Sequence, residues 1–535
     1  MVMPGTFSLV LHAHMPYVKK QGRWPHGEEW LYEVMADTYI PLLDTLNQLV
    51  NDGVMPKITI SISPVLLEQL ADAYIKEMFE EYLKERIDLA EGDVKRFQRK
   101  KEYQKLAQFY VDHYTNILES FRRYNRDLPG AFRELQDMGA IEVLTSAATH
   151  AYLPLLLNDE WVYFQIKVGV ETYRKFFKRR PRGIWIPEMA YRPRGHWKGP
   201  LGEEKSRRGI EEILEDLGLE FFFVDAHAIE GRRIRTLFSG GETVENDPNW
   251  IPRGSVYNSY KVKGSSIVVI GRNMETSLQV WSRDVGYPGD PWYREFHKID
   301  NVSGMHYWRV TSKEIPLEGK KVYNPEMAME RVRVHAEHFS NLIRNLLRDK
   351  DESSIIMSPY DAELFGHWWF EGIKWIELVI RRLHDDDIVT LRTVSEYIDA
   401  YPPIDEIDLP ESSWGYGGKH MTWWNDKTLD YWRKEYDAEK KALDLRTYIR
   451  YKNGKKRYIV QALRELLILQ SSDWAFLIFT NQAPDYAEER YNKHYSRFLQ
   501  LYLAVIDNKE ISSNDVFSED TVFDNEVIED ALLSI

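Results

Sequence analysis

Short apolar runs alternating with long helical segments constrain this chain most. The runs are 6–14 (TFSLVLHAH), 57–63 (KITISIS), 141–147 (IEVLTSA), 183–188 (GIWIPE), 219–225 (LEFFFVD), 266–271 (SIVVIG) and 354–359 (SIIMSP). Among them lie 28–51, 66–90, 101–125 and 325–349, where apolar residues recur with helical period. Strands that alternate with helices build a parallel sheet, closed as a barrel or left open. In both arrangements chemistry sits at the C-terminal ends of the strands.

Two regions break the alternation. Residues 192–264 are rich in Gly, Pro, Arg and charge, as in RPRGHWKGPLGEEKSRRG. From about 403 strand signals stop, and 427–449, 456–471 and 484–506 all read as helices. With 535 residues, more than one core normally serves, the expected division is a barrel in two parts, 1–191 and 265–402. A loop-rich subdomain, 192–264, interrupts it, and a helical C-terminal domain, 403–535, follows. The acidic tail from 507 carries apolar residues that predict partial docking.

Charge and composition exclude several roles. Net charge is 70 − 84 = −14, which disfavours nucleic acid and anionic lipid as partners and leaves a neutral ligand unaffected. No apolar stretch approaches the roughly 20 residues of a membrane span. The start, MVMPGTFSLVLHAH, lacks the pattern of a secretory signal, so a cytoplasmic location is expected. Cysteine is absent, which removes disulfide and thiolate chemistry and fits a reducing compartment or a hot habitat. Trp, Tyr and Phe total 13% of residues, and tryptophans cluster with Gly, His and Asn in WPHGEEW, GHWWFEG and WGYGGKHMTWWN. Flat rings in such loops suit a sugar face or a peptide.

Chemistry-bearing residues stand at the ends of the runs. His12 and His14 are two apart, so on a strand they share one face. They fit a divalent-metal site, a hydrogen-bonding wall for a polar ligand, or satisfied core histidines. His150 ends a third run. Glu188 closes GIWIPE behind a proline, and Asp361 follows SIIMSPY. Alone, each carboxylate suits a salt bridge as well as catalysis. Together they match glycosyl transfer by double displacement, in which one carboxylate attacks the anomeric carbon and a carboxylic acid protonates the departing oxygen.

The segments LHAHMPYV, ATHAYLP, WIPEMAYRP, SPYDAELFGHWWFEG and SSWGYGGKHMTWWN resemble the ordered conserved regions of glycoside hydrolase family 57, over residues 6 to about 505. Within that family the similarity is greatest to the α-1,4-glucan branching enzymes. The resemblance implies a distorted (β/α)7 barrel with an inserted subdomain and a helical C-terminal domain. It also implies a retaining mechanism with no metal or organic cofactor, and α-glucan chains as donor and acceptor; the sequence leaves monomer and dimer both open. By motif, Glu188 corresponds to the nucleophile and Asp361 to the general acid/base. His12, His14 and His150 would line the cleaved sugar's subsite; Trp24, Arg272, Trp281, Trp414, Trp423 and Asp473 match positions near donor and acceptor. Trp368 and Trp474 remain open between packing and sugar contact.

One departure concerns the acceptor. Branching members often carry a tyrosine on a loop of the inserted subdomain, and residues 230–256 contain none. Phe238 or Trp250 would supply a ring without a phenol. Side hydrolysis is therefore expected alongside transfer. The alternatives are an α-amylase or 4-α-glucanotransferase of the same family and, more remotely, a metal-dependent deacetylase or amidohydrolase using His12 and His14. Exhaustive chelation separates the last: glucan-acting activity should persist unchanged, and its loss with recovery on adding a divalent ion would restore the metal reading.

Overall fold

The computed structural model describes residues 4–231, 233–238, 241–246, 251–282, 285–451, 453–511, 515–518 and 520–535. Its frame is a ring of parallel strands: β1 Gly5–Ala13, β2 Ile58–Ile62, β3 Ile141–Ser146, β4 Ile184–Trp185, β5 Phe221–Val224, β6 Val268–Gly271 and β7 Ile355–Asp361. β1 pairs with β7 on one side and β2 on the other, β2 continues to β3 and β4, and β5 pairs with β6. Two thin joints close the ring. Gly183 bridges Phe221 between β4 and β5, and the Asn273 amide donates to the Met357 carbonyl at 2.9 Å between β6 and β7. The fold is α/β, a distorted (β/α)7 barrel.

Alternation along each strand sorts the side chains. On β1, Phe7, Leu9 and Leu11 join an outer core with the helices, while Val10 points to the inner one. Ile58, Ile60 and Ile62 of β2 are likewise outside, and Val143 of β3 with them. Inside the ring, Val10, Leu144, Trp185, Phe221, Phe223, Val268, Ile270, Ile355 and Met357 pack together, sealed by Val394, Tyr397 and Ile398. The barrel is thus a filled core, not a pore.

Helices cover the outside, with two departures from the expected spans. The 28–51 segment contains one π-helical turn, Met35–Tyr39. The 66–90 segment splits at Asp72, whose carboxylate accepts from the Tyr74 and Ile75 amides and so begins a new helix, Ala73–Arg96. The 183–188 strand is also shorter than its apolar run, because Pro187 ends it.

Within 192–264, β5 belongs to the ring, while Gly195–Lys198 pairs antiparallel with Glu204–Arg207 and Arg233–Phe238 with Gly241–Asn246. Trp250 and the side chain of Phe238 lie outside the described residues. Toward the C-terminus, helices Leu429–Tyr451, Lys456–Leu469, Ser472–Thr480 and Pro484–Ile506 share one hydrophobic core with the outward residues of β4, β5 and β6. The tail docks through helix Asn525–Ser534, which buries Ile528, Ala531 and Leu532. Among the described residues no helix is long and apolar enough to cross a membrane.

This packing buries Glu435 and Glu439, one turn apart on helix Leu429–Tyr451. Glu439 accepts from the Leu157 amide at 2.9 Å and Gln470 Nε2 at 2.8 Å. Burial, then the neighbouring Glu439, pushes Glu435 well above the usual carboxylate range, and burial lifts Glu439 to about 7. The folded state therefore holds protons that the unfolded chain releases above about pH 4.5, so stability falls as pH rises from there through 7. Glu435→Gln should gain roughly 1–3 kcal/mol at pH 8 and less at pH 5. Thermal melts at both values check this; an equal gain at both would contradict it.

Candidate active site

The inward parity of the strands continues at their C-terminal ends, where the residues become polar. On β1, His12 follows Val10; on β2, Ser61 follows Thr59, with Ser63 just beyond; on β7, Asp361 lies in register with His12. Beyond β6, Arg272 continues the row of Val268 and Ile270, and beyond β5, Asp225 continues that of Phe221 and Phe223. Arg272 grips Asp225 with two bonds of 3.1 and 2.6 Å, both side chains buried.

The three histidines stack into a column. His14 lies on His150 with ring centres 4.0 Å apart, His150 is 5.0 Å from His12, and His12 lies flat on Trp185 at 4.5 Å. Each ring nitrogen has a partner in the protein. His12 Nδ1 meets Ser61 Oγ at 3.3 Å and its Nε2 meets His150 Nε2 at 2.9 Å. His150 Nδ1 meets Ser472 Oγ at 2.9 Å. His14 Nδ1 meets Ser63 Oγ at 2.9 Å, and its Nε2 lies 3.0 Å from Asp473 Oδ2. Burial first, and the charge of His14 second, pushes His12 and His150 well below their usual value, so both are neutral near pH 7. A divalent ion at this column would have to displace one of these contacts.

Glu188 emerges where the strand has been cut short. Pro187 turns the chain and Glu188 takes a left-handed conformation, φ 62°. His150 does the same at φ 59°. Such backbone costs on the order of 1 kcal/mol or more in a residue with a side chain, and surrounding bonds must hold it. For Glu188 they come from outside the ring. The Trp414 amide donates to the Glu188 carbonyl at 3.1 Å, Trp414 Nε1 donates to Oε2 at 2.7 Å, and Ser472 Oγ donates to Oε1 at 3.3 Å.

Both carboxyls are raised. Burial pushes Glu188 up to about 7, with the Trp414 bond opposing and the charges of Asp361 and Asp473 adding to the rise. Burial pushes Asp361 up to about 8, helped by Glu363 and opposed by His14 and Arg272. Asp473 goes the other way. Burial acts upward on it, but His14, His150 and Ser471 together hold it at about 2. The cluster thus combines one permanent anion with two carboxyls that both change protonation near neutrality, a condition under which one can donate a proton while the other attacks.

The remaining expected residues divide. Trp281 stands 6.3 Å from Trp414, and the Arg272 guanidinium is 5.8 Å from the Trp414 ring, so these three join the cluster. Trp423 is buried beneath the loop, 4.2 Å from Tyr152; a side chain at Gly415 would strike its ring at 2.4 Å. Trp423 therefore supports the loop that presents Trp414. Trp24 is 72% exposed on the loop before helix Glu28–Val34, with no side-chain contact tying it to the cluster among the described residues. Trp474 is buried and donates to the Ile468 carbonyl at 2.8 Å, a packing role.

Several participants were not anticipated. Ser61, Ser63 and Ser472 orient the histidines. Glu363 accepts from the His14 amide at 3.0 Å and from the Tyr39 hydroxyl, and burial raises it to about 7. The alternation in KITISIS and the spacing in DAE were the available signals. Among the described residues, one carboxylate–histidine group is tight enough to grip a metal: Glu465, His494 and Asp520. Gln461 and His494 bond Glu465, Arg497 pairs with Asp520, and Arg490 reaches His494 Nε2 at 3.1 Å, so this is a satisfied ion network.

Comparisons with known proteins relate the chain as a whole to others. Residues 8–410 match the model of glycosyl hydrolase family 57, and residues 435–526 match that of the 1,4-alpha-glucan branching enzyme C-terminal region. Over 520 residues the chain is 44% identical to a 1,4-alpha-glucan branching enzyme of Thermococcus kodakarensis, covering 96% of this chain and 76% of that one. The crystal structure of a branching enzyme of this family from the same archaeon, in complex with glucose and additives, superposes with a TM-score of 0.92 at 42% identity, covering 99% of this chain and 96% of that one. An alpha-amylase from Thermotoga maritima superposes with a TM-score of 0.81 at 31% identity, covering 99% of each.

The pH profile tests the electrostatics. If the ionised group is Glu188 and the protonated one Asp361, kcat/KM should form a narrow bell with limbs at about 7 and about 8. Trp414→Phe removes a donor that favours ionised Glu188, so the acid limb should move up as activity falls. An acid limb that stays in place would show that the indole bond does not tune this carboxylate.

Proposed function

The chain belongs to glycosyl hydrolase family 57, and from that premise we propose a retaining α-1,4-glucan branching enzyme with Glu188 as nucleophile and Asp361 as general acid/base. The observation that carries the assignment of roles is the contrast in surroundings. Glu188 receives two side-chain donors that stabilise its anion, whereas Asp361 sits beside Glu363, whose charge favours the protonated form.

The reaction follows from that contrast. Asp361 gives its proton to the bridging oxygen as Glu188 attacks the anomeric carbon; the α-1,4 bond breaks and a covalent glucosyl ester forms. Asp361, now ionised, takes the proton of the 6-hydroxyl on an acceptor glucan. That oxygen displaces Glu188, leaving an α-1,6 branch and restoring both groups. Water in place of the acceptor gives hydrolysis. His12, His14 and His150 line the subsite of the cleaved sugar, with Asp473 fixing His14. Arg272, Trp281 and Trp414 flank it, and Trp24 offers a stacking face farther out. No step draws on a metal or an organic cofactor.

The subdomain of 192–264 and the helical region from 403 shape the acceptor side in this reading. Branching is favoured over amylase activity by the match of residues 435–526 and by the 44% identical relative. The lack of tyrosine in 230–256 supports appreciable side hydrolysis. A chain without cysteine suits the cytoplasm.

Amylose tests the product. New α-1,6 linkages, released by a debranching enzyme, should outnumber new reducing ends; strong dominance of reducing ends would replace branching by amylase activity. Glu188→Gln should lower turnover by roughly 10³-fold or more while glucan binding persists. An unchanged rate would end the proposed mechanism.

A further inference from the structure

The Trp-rich run GHWWFEG is not accounted for by the cluster around Glu188. Trp369 is buried in the outer core, but Trp368 is 49% exposed. The ring is held there rather than loose. Its amide donates to the Glu363 carbonyl at 3.2 Å, and the Trp369 amide donates to the Leu364 carbonyl at 2.8 Å. At Gly366, φ 98°, a Cβ would lie 1.8 Å from the Asp37 carbonyl oxygen, so the loop is clamped onto the π-helical turn. Phe296 lies against the indole at 4.2 Å between centres, tilted 33°, and His367 flanks it at 5.5 Å.

Two tryptophans on the segment that carries Phe296 differ from Trp368. Trp292 has Arg309 over its ring at 4.1 Å and Trp308 has Lys298 at 4.3 Å. Among the described residues no cation covers Trp368. On the segment that carries Phe296, the adjacent polar groups are paired with one another: His297 Nδ1 meets Glu295 at 3.1 Å, and Lys320 meets Glu295 at 3.2 Å. The Trp368 face is therefore exposed, backed by Phe296 and flanked by His367, with no cation over it among the described residues.

We infer that Trp368, backed by Phe296, is a glucan-binding platform on the rim of the barrel, holding a remote stretch of an α-1,4 chain whose reacting residue lies at Asp361. Position supports the occupant. Trp368 is seven residues from Asp361, within about 25 Å even if extended, and hangs from Glu363, which fixes His14. A pyranose presents a C–H face matched to one indole. One exposed ring is far below the roughly 800 Å² per partner of a stable protein interface, so a second protein is the poorer fit.

The inference rests on the branching reading, and two measurements keep their failures apart. In the Glu188→Gln background, gel mobility in amylopectin reads binding without turnover. Adding Trp368→Ala or Trp368→Leu should weaken retention about 3–10-fold, while Trp368→Phe should keep most of it. In the active enzyme, Trp368→Ala should raise the ratio of KM for amylose to KM for maltoheptaose by a similar factor, with a melting temperature close to that of the parent. Undiminished retention, or an equal rise in both KM values, overturns the platform while branching stands. Absence of both retention in the parent and branching in the wild-type enzyme overturns both readings.

Discussion

A two-residue period underlies everything in this molecule. Because side chains on a strand alternate between faces, one row of each barrel strand packs outward on helices and the other inward. The inward row must change character along its length. At the bottom it is Val10, Leu144, Phe221, Ile355 and Met357, closed off by Tyr397. One step higher it is His12, Ser61 and Asp361. The apolar floor is what allows a polar ceiling, since it excludes water from beneath and lets burial act on every carboxyl above. Shifting one strand by a residue would exchange its two rows and remove the site.

The ring supplies positions, but its surroundings supply restraint. Glu188 and His150 adopt backbone conformations that side chains disfavour, and both are tied to residues from the last quarter of the chain: Trp414 and Ser472 for Glu188, Ser472 for His150. Asp473 does the same for His14. The helical region therefore contributes residues to the candidate site and is not an appendage. Its core is continuous with that of the barrel, which holds those contacts in place.

Much of this was legible in the sequence, for a physical reason. Apolar runs betray strands, and a polar residue at the end of a run is conspicuous against the apolar residues that precede it; His12, His14, His150, Glu188 and Asp361 were all visible that way. Serines were not, since in KITISIS they look like ordinary strand residues until the strand is placed beside His12 and His14. Glu363 was masked by Asp361 two positions earlier. Trp423 shows what a glycine-rich loop does not reveal in sequence: Gly415 leaves room for the indole to turn inward, where it packs on Tyr152 beneath the loop that presents Trp414. The joints at Gly183–Phe221 and Asn273–Met357 carry no pattern at all, because each is made by backbone atoms alone.

The closure of β1 against β7 also sets a schedule. His14 and Glu363, which share a hydrogen bond across that junction, are 349 residues apart. At roughly 5–20 residues per second, a ribosome needs about 20–70 s to make the intervening chain. For that time β1 has one open edge, with apolar side chains on either side of it. Until the segment carrying Trp414 and Asp473 has also been made, Glu188 lacks the donors that hold it. The strands that position the candidate site are thus made long before the residues that restrain it, and an exposed edge is the cost of that order.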